Sequence, residues 1–595
     1  MGLNMPKLLF KNVTYTVQKL IEDIELGVIG LPDIQRPFVW PTNKVRDLFD
    51  SMYRGYPIGS LLFWENAYES RTQPKTIELE EKQKVPNLLI VDGQQRLTSL
   101  FAVATGHPVL DRDFKEARLR IAFHPLEERF EVANAAIERA PEWISDIGEI
   151  WRSESTYGFI QNYLDRLGRQ RELTPEEKNR AAQALDNLAS LLDYQLTALE
   201  LSPTIDETQV AEIFVRINSK GTRLNEADFI LTLMSVYWED GRKELEAFAR
   251  AAKTPPKDQR PSPFNPFWQP SPDQLLRVVV GLAFRRARLH HVYSLLRGKD
   301  LETGAFNETV RDQQFSELRK AQRYVLDLQN WHEFLKVLRQ AGYVSRTMIT
   351  SEMAVLYNYL LWLIGRRDYR LDLARLRRLI ARWFFTTSLT TRYTGSSESR
   401  MEQDLALLRG AKTADEFEAL FDREIQAVLT RDYWEVTLPN ELATAAARSH
   451  TQSAFWAAQV LLEARALFST LPVADLLSPH HQGKKKALER HHLFPKAYLR
   501  KQGITDNRLI NQVANFALVE WHDNIAISDR PPEEYVPEIE AKFSPEELAR
   551  MYEAHALWPG WYREEFPVFL EKRRKRMAQV IRKGFEKLAG HPAQS

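Results

Sequence analysis

Two adjacent histidines give the sequence its clearest candidate for metal-dependent or acid–base chemistry. His491 and His492 lie in the segment ERHHLFPKAY, and Asn515 and Asn524 follow in NQVANFALVEWHDN. Because the chain has 0 cysteines, a metal ion would need His, Asn, Asp or Glu ligands. Neighbouring side chains of an extended strand point to opposite sides, so one imidazole could hold a metal while the other faces elsewhere. The two could also flank a metal from a bent backbone, and either could be a structural histidine.

A second candidate site is the segment NLLIVDGQQRLTSL, for which we predict a strand, a tight turn and a helix. Its central residues are Asp92, Gly93, Gln94, Gln95 and Arg96. The N–H groups and the dipole at a helix N-terminus attract anions, so a phosphate would fit there. Arg96 adds a bidentate donor, Asp92 could hold Mg²⁺ or position a water molecule, and both glutamines could donate to phosphate or base. An ordinary Asp-Gly turn is the alternative, and no Walker A motif is present.

The elements that would position the second site are mixed α/β. Short apolar runs at 58–64 and 88–91 predict strands among helical segments. Thr174, followed by Pro175 and Glu177, is typical of a helix start, and we expect helices from there to about Trp238. The first part of the chain is therefore predicted to be an α/β domain with a helical extension.

Changes in composition along the chain indicate where the domains end. Residues 253–273 contain seven prolines and are predicted to form a loop, and 275–421 have helical apolar spacing. From about Pro439 onward histidines become frequent. A chain of 595 residues is too long for one core, so we predict domains at 1–238, 239–438 and 439–595.

The bulk composition describes an ordinary globular protein. Hydrophobic residues make up 44% and charged residues 27%, and 81 basic residues nearly balance 80 acidic ones, so that any DNA contact must come from local patches. We find no signal peptide and no apolar run of membrane-spanning length, and the absence of cysteine suits a reducing compartment. The sequence therefore predicts a cytoplasmic protein without a membrane partner.

The sequence around the turn at Asp92 resembles a known family once two more segments are considered. These are DIQRPFVW and FVRINSKGTRLNEADF, which carry Gln35, Arg36, Trp40, Asn218, Gly221 and Asp228. In this order the motifs resemble the ParB-like sensor domain of GmrSD-type restriction enzymes and of phosphorothioate-sensing SspE proteins. The resemblance implies binding and hydrolysis of a nucleoside triphosphate (GTP, UTP, CTP or ATP), with Asp92 and Arg96 as catalytic residues.

The same resemblance implies the other members of the nucleotide pocket. They would be Gln35, Arg36, Gly93, Gln94, Gln95, Asn218, Gly221 and Asp228. For the first two of these, a structural turn before Pro37 is the alternative interpretation. Phosphorothioate sensors carry a tyrosine before the first Gln-Arg pair, whereas this chain has Ile34, which argues against phosphorothioate as the signal.

The histidine pair and the amides after it resemble the HNH, or His-Me finger, nuclease domain that follows the same sensor in GmrSD-type proteins. The resemblance implies that His492 is the general base, that Asn515 orients it, and that His491 and Asn524 hold a single Mg²⁺ or Mn²⁺. His522 is a further candidate ligand. Lys484, Lys485, Lys486 and Lys496 could meet the DNA backbone, although a solvated loop explains the first three equally well.

Two further segments have open interpretations. The basic stretch from Glu571 to Lys587 predicts a helix whose cations are either solvated or bound to phosphate. RYTGSSESRMEQDL at 392–405 resembles a motif of the fused proteins, in which Arg392 and Arg400 could touch phosphate or a serine, Ser397 or Ser399, could cap a helix. A structural turn is expected at 529–532.

These predictions combine into a mostly helical α+β protein. We expect an N-terminal ParB-like α/β domain with a helical extension, a helical middle domain, and a C-terminal ββα-metal (HNH) nuclease domain. The resemblance implies an NTP-dependent endonuclease of anti-phage defence that cuts modified DNA, for example glucosylated hydroxymethylcytosine DNA, with homodimerisation left open. The alternatives are a phosphorothioate-sensing nicking effector and a nucleotide-gated DNA-binding module with an inactive nuclease.

Overall fold

The computed structural model places most of the chain in helices. It describes residues 8–30, 40–65, 87–110, 116–205, 209–210, 213, 230–231, 234, 238–256, 260–289, 292, 296, 308–446, 448–478, 488–520 and 529–590. The chain divides into two compact units, an N-terminal unit of Met1–Asn225 and a C-terminal unit of Glu226–Ser595. Helices far outnumber strands among the described residues, which confirms the prediction of a mostly helical α+β protein.

The strands fall into one larger sheet and three short pairs. They are β1 (Phe10–Thr16), β2 (Ile29–Gly30), β3 (Leu61–Glu65), β4 (Leu88–Asp92), β5 (Val109–Leu110), β6 (Glu116–Ala117), β7 (Ile121–His124), β8 (Arg129–Val132), β9 (Gln195–Leu201), β10 (Leu488–His492) and β11 (Phe516–Glu520).

The helices of the N-terminal unit are α1 (Val17–Glu25), α2 (Thr42–Tyr53), α3 (Gln94–Thr105), α4 (Gly148–Arg152), α5 (Thr156–Gly168) and α6 (Pro175–Ala189). Those of the C-terminal unit begin with α7 (Glu239–Lys253), α8 (Pro272–Phe284), α9 (Glu308–Val325), α10 (Leu328–Gln340), α11 (Glu352–Arg367), α12 (Leu373–Leu389), α13 (Ser397–Leu407), α14 (Ala414–Val428), α15 (Leu438–Glu441) and α16 (His450–Leu461). They end with α17 (Val473–Leu477), α18 (Lys496–Lys501), α19 (Asn507–Ile510), α20 (Pro532–Glu540), α21 (Pro545–Ala554) and α22 (Phe566–Leu588).

A five-stranded mixed sheet organises the N-terminal unit. Its order is β1-β9-β3-β4-β2, with β3 antiparallel to β4 and parallel to β9. Val45, Phe63, Leu100 and Leu185 are among the apolar side chains of its core. The sheet therefore holds β4, the strand that leads into the Asp92–Gly93 turn, between two neighbours.

Strand β9 corrects one prediction from the sequence. Helices were expected to continue to about Trp238, but residues 195–201 pair with β1 on one side and β3 on the other. The buried Leu196 and Ala198 alternate with the exposed Gln195 and Thr197, which is the two-residue period of a strand. The predicted start of α6 is confirmed, because Thr174 and Glu177 form a reciprocal capping box.

The C-terminal unit is built around one apolar core that extends from Ile230 to Phe585. Helix α11 lies at its centre, where consecutive residues from Ala354 to Gly365 are all buried. Most of the described residues between 275 and 421 are helical, as predicted, and the described residues 260–271 between α7 and α8 are not. Since both sides of position 438 contribute to this core, the division at 438/439 stays a prediction. No helix within the described residues has the length and apolar character needed to cross a membrane.

Candidate functional site

The Asp92–Gly93 turn has the predicted strand–turn–helix geometry. Strand β4 ends at Asp92, Gly93 adopts φ +95°, and α3 begins at Gln94 with no side-chain cap. A Cβ atom at Gly93 would lie 2.4 Å from Leu61 Cδ2, so both the backbone angle and the packing require glycine. The first-turn N–H groups and the positive end of the helix dipole lie at this end of α3, which is where an anion would bind.

The two glutamines and Asp92 surround that helix start. Gln94 and Gln95 are half-buried in the first turn of α3. The side chain of Asp92 is 34% exposed at the carboxyl end of β4. These positions are compatible with the nucleotide pocket implied by the resemblance, and the roles of the residues stay predictions.

Arg96 is held by backbone carbonyls and lies near Asp92. Its Nη1 donates to the carbonyl of Ile58 at 2.9 Å and its Nη2 to that of Ser60 at 2.9 Å, while Asp92 Oδ2 lies 3.6 Å from Nη2. Burial of the guanidinium lowers the pKa of Arg96 from its ordinary value. Arg96 therefore holds the segment before β3 against α3, which competes with direct donation to a phosphate.

The far end of α3 is also fixed by an arginine. Arg152 Nη1 donates to the carbonyls of Val103 and Ala104, each at 3.1 Å, and Nη2 pairs with Asp146 at 2.8 Å. These bonds satisfy carbonyls in the last turn of α3. The helix that presents the candidate anion site is thus anchored at both ends.

Several predicted site residues cannot be placed relative to these groups. Gln35, Arg36, Asn218, Gly221, Asp228, His522, Asn524, Lys484, Lys485 and Lys486 lie outside the described residues. Trp40 is described: it is half-buried, and Lys44 Nζ lies 4.3 Å from its ring centroid.

The histidine pair lies on a two-stranded antiparallel sheet. His491 of β10 is opposite Ala517 of β11, and His492 is opposite Phe516. Because neighbouring side chains of a strand alternate, the two imidazoles face opposite sides. His491 is 3% exposed, whereas His492 is half-buried.

His492 contacts Asn511 and Phe516 among the described residues. Its Nε2 lies 3.1 Å from Asn511 Oδ1, and its ring centroid is 4.3 Å from that of Phe516. The sequence analysis gave Asn511, the C-cap residue of α19, no role, because the resemblance matched Asn515 and Asn524 instead. With Oδ1 as the acceptor, the proton of the neutral ring sits on Nε2, and Nδ1 is the basic nitrogen.

Asn515 is fully buried and bonds to backbone. Its Oδ1 accepts from the N–H of Phe494 at 2.9 Å, and its Nδ2 donates to the carbonyls of Phe494 at 3.1 Å and Ile510 at 2.9 Å. The side chain therefore fixes the chain two residues beyond His492. The orienting role that the resemblance implies would act through the backbone.

His491 contacts a buried tyrosine. Its Nε2 lies 3.4 Å from the hydroxyl of Tyr535, which donates to the carbonyl of Leu493 at 2.7 Å. Burial raises the pKa of Tyr535 well above its ordinary value, so the hydroxyl stays neutral. Within the described ranges no three His, Cys, Asp or Glu side chains lie together as a metal site would need, so the metal-ligand role of His491 stays a prediction.

The basic C-terminal helix, α22, differs from both interpretations of its sequence at one position. Arg573 is fully buried and donates to backbone carbonyls, so it is neither solvated nor placed to bind phosphate. Five other cations of the helix pair with carboxylates, and the exposed Arg576 donates to the carbonyl of Leu557 at 3.2 Å. These pairs are Lys572–Glu564, Lys575–Glu571, Arg582–Glu586, Lys583–Glu553 and Lys587–Glu463.

The 392–405 motif has a structural role in the C-terminal unit. Arg392 is buried against Asp404 and Glu424, with Nη2 at 2.9 Å from Glu424, and its guanidinium lies over the ring of Trp383. These pairs argue against the interpretation in which Arg392 contacts phosphate. The expected cap by Ser397 or Ser399 is wrong, because α13 begins at Ser397 and Ser396 is the N-cap residue.

Two remaining residues, Arg400 and Lys496, are exposed, and the segment 529–532 precedes a helix. Arg400 donates to Gln403 at 3.2 Å, and Lys496 is exposed at the first position of α18. At 529–532 the chain turns into α20, with Pro531 as its N-cap, which confirms the expected structural turn.

Comparison with known proteins finds similarity over nearly the whole chain and a family match over its first part. An uncharacterised protein of Methanocaldococcus jannaschii is 23% identical over 569 residues, which cover 89% of this chain and 87% of that protein. Residues 17–235 match the family described as the GmrSD restriction endonuclease, N-terminal domain, which supports a relationship to restriction-type defence nucleases.

Proposed function

We propose that the protein is an NTP-dependent endonuclease of anti-phage defence that cuts modified DNA. The observation that carries the proposal is the match of residues 17–235 to the GmrSD N-terminal domain. The paired strands that carry His491 and His492 support it, because they supply an imidazole base where the resemblance to HNH nucleases expects one. DNA is the expected macromolecular partner.

The hydrolytic step that this site would perform uses His492 as the general base. Asn511 holds the Nε2 proton, so Nδ1 takes a proton from the attacking water. The water oxygen forms a bond to phosphorus while the bond from phosphorus to the leaving sugar oxygen breaks, and that oxygen is protonated by solvent. Phe516 supports one face of the ring and so restricts its rotation.

A divalent cation fits the donor chemistry of this proposal. Amide and phosphate oxygens are donors that suit a hard ion such as Mg²⁺ or Mn²⁺, whereas an imidazole nitrogen suits Zn²⁺, Fe²⁺ or Ni²⁺ better. His491 and Asn524 would hold the ion, which supplies charge stabilisation at the scissile phosphate when bound. The remaining chemistry belongs to His492 and the residues that hold it.

The proposed nucleotide site is the N-terminus of α3. Backbone N–H groups of Gln94 and Gln95 would receive a phosphate, and Asp92 would position a metal ion or the attacking water. Arg96 would act indirectly. It donates to the carbonyls of Ile58 and Ser60, and so holds the segment before β3 in place rather than donating to the phosphate itself. Gln35, Arg36, Asn218, Gly221 and Asp228 would complete the pocket.

Two alternatives remain in different classes. A phosphorothioate-dependent nicking effector would use the same residues, but Ile34 stands where such sensors carry tyrosine. A nucleotide-gated DNA-binding module would lack cleavage altogether. The resemblance at His492, Asn515 and Asn524 favours an active nuclease over that module.

The experiment is a cleavage assay of the full-length protein on plain, cytosine-glucosylated and phosphorothioated DNA, with Mg²⁺ and with or without each NTP. His492→Ala is compared with His450→Ala, a half-buried histidine of the same unit. The proposal requires that one modified substrate is cut, that His492→Ala abolishes cutting, and that His450→Ala preserves it. Cutting that tracks phosphorothioate supports the nicking effector, and NTP hydrolysis without any cutting supports the binding module.

A further inference from the structure

Arg573 is a fully buried cation in the middle of α22 with a set of neutral partners. Its Nη1 donates to the carbonyls of Ala514 at 2.6 Å and Phe516 at 2.8 Å, and its Nε and Nη2 donate to the carbonyl of His555 at 3.2 and 3.0 Å. No carboxylate within the described parts of the chain pairs with it. Burial accordingly lowers the pKa of Arg573 to about 9.

The two carbonyls that accept hydrogen bonds from Nη1 lie on either side of Asn515. Arg573 thus fixes the backbone around the residue whose side chain fixes Phe494 and Ile510. Hydrogen bonds from a charged donor are stronger than neutral ones, so this segment is held more firmly than a helix packing contact would hold it. The guanidinium and the amide act on the same short stretch of chain from two sides.

This stretch leads directly to the His492 ring. Phe516 begins β11, is the strand partner of His492, and places its ring 4.3 Å from the imidazole. A displacement of the Phe516 carbonyl would therefore move both the strand pairing and the ring that supports His492. No other fully buried arginine among the described residues contacts β10 or β11.

The charge is what makes this arrangement informative. A buried cation without a counter-ion is costly, and well-packed apolar residues often stabilise a core as well or better. A role in the fold alone would require only N–H donors for these carbonyls, which a neutral side chain can also supply. The guanidinium of Arg573 is planar and donates to two carbonyls beside Asn515 and to a third, that of His555. It therefore fixes the relative geometry of these two chain segments.

We propose that Arg573 is a positioning residue of the nuclease site, acting on His492 through Phe516 and the backbone around Asn515. The inference rests on the proposed nuclease function. It assigns Arg573 no contact with DNA, so its removal changes turnover and leaves DNA binding unaltered. A lysine keeps the charge but cannot bond the three carbonyls in one plane.

The test compares Arg573→Lys with Arg576→Lys, in which the replaced arginine lies on the same helix and donates to one carbonyl, that of Leu557. We expect Arg573→Lys to lower kcat about 100-fold, as a displacement near 1 Å can do, while KM for DNA changes less than about twofold. Arg576→Lys keeps wild-type kcat. Wild-type kcat in folded Arg573→Lys overturns the inference.

A second readout needs no cleavage. In ¹H–¹³C spectra of the histidines, assigned with His492→Gln, the ring current of Phe516 shifts the His492 signals. We expect Arg573→Lys to move these signals and Arg576→Lys to leave them in place. Unmoved signals overturn the inference whether or not the wild-type protein cuts DNA, and absent cutting by the wild type overturns only the nuclease proposal.

A third variant covers failure of Arg573→Lys to fold. Phe516→Leu removes the ring that contacts His492 and leaves Arg573 and its backbone partners intact. The inference requires a loss of kcat at nearly constant KM in this variant as well. Phe516→Leu with wild-type kcat would show that the path from Arg573 to His492 does not exist.

Discussion

Of the two asparagines Asn511 and Asn515, it is Asn511 that contacts the His492 imidazole: its Oδ1 lies 3.1 Å from Nε2, whereas the Asn515 side chain bonds to the backbone of Phe494 and Ile510. The sequence assigns the orienting of His492 to Asn515 alone, whereas in the structure both asparagines contribute to it. Asn511 sets the tautomer of the ring, and Asn515 sets the path of the chain beside it.

This division predicts different effects for the two alanine variants. Asn511→Ala should lower kcat by about 10- to 100-fold and leave the melting temperature nearly unchanged, because a half-buried contact is lost. Asn515→Ala should lower the melting temperature clearly, since each buried backbone group left unpaired costs about 1–3 kcal/mol. Cleavage rates and thermal unfolding of both variants check this. Wild-type cleavage by Asn511→Ala would show that the contact has no catalytic consequence.

Gly93 predicts a second pair of variants. Gly93→Ala combines a positive φ with a Cβ atom 2.4 Å from Leu61 Cδ2, whereas Gly55→Ala has a φ of +69° and nothing within 4 Å. Strain alone costs roughly 1–2 kcal/mol, so we expect Gly55→Ala to be mildly destabilised and Gly93→Ala to lose more stability and its NTP binding.

The measurements are thermal unfolding and titration with each NTP. Equal losses of stability in the two variants would mean that Leu61 moves aside at no cost. Undiminished NTP binding by folded Gly93→Ala would argue against the N-terminus of α3 as the nucleotide site.

His555 gives the C-terminal unit a predictable response to acid. Its ring is fully buried, Nε2 lies 2.9 Å from the carbonyl of Arg465, and burial lowers the pKa of His555 to about 4. In the unfolded chain the ring takes up a proton near its ordinary pKa of about 6.5. The contribution of His555 to the free energy of unfolding is therefore fully present above pH 6.5. It decreases by about 3 kcal/mol as the pH falls to 4, because the unfolded chain binds a proton that the folded chain does not.

The pH dependence of the unfolding midpoint tests this response. His555→Gln should show a shallower loss of stability between pH 6.5 and 4 than the wild type. His107→Gln, which replaces an exposed histidine, should follow the wild-type curve. An unchanged slope in His555→Gln would assign the acid sensitivity to other groups.

The parts of these sites that sequence could predict are those determined by neighbours along the chain. The turn at Asp92–Gly93 follows from an apolar run, a residue that tolerates positive φ and helical spacing, all within 14 positions of NLLIVDGQQRLTSL. For the two imidazoles the sequence left an extended strand and a bent backbone both open, and the pairing of β10 with β11 decides for the strand. The sequence pattern did not predict strand β9, because the helical leucine spacing of α6 continues toward it. Its pairing with β1 and β3 favours the extended backbone, and those partners are distant in sequence.

Contacts between distant segments were beyond the sequence pattern. The carbonyls of Ile58 and Ser60 that hold Arg96, the amide of Asn511 at His492, and the carbonyls around Asn515 that receive Arg573 all come from other elements. A basic run such as that of α22 indicates surface charge, yet one of its arginines lies in the core. Burial of a cation by backbone carbonyls leaves no signature in residue type or spacing.

His491 carries the last prediction, because its burial against Tyr535 and its proposed role as a metal ligand lead to different outcomes. His491→Ala and Tyr535→Phe both remove the 3.4 Å contact between the ring and the hydroxyl, but only the first removes a metal donor. If His491 binds the cation, His491→Ala should raise the Mg²⁺ concentration for half-maximal cleavage by about 10-fold or more, and Tyr535→Phe should change it less than about twofold.

Chelation of divalent ions should abolish cleavage by the wild type, and added Mg²⁺ should restore it. A stability loss shared by both variants with an unchanged Mg²⁺ requirement would make His491 a core histidine that supports β10, as its 3% exposure and its tyrosine contact alone would indicate. The cation would then be held by other donors beside the His492 ring. That result would leave His492 as the base, because the two rings lie on opposite faces of the strand and answer to different contacts.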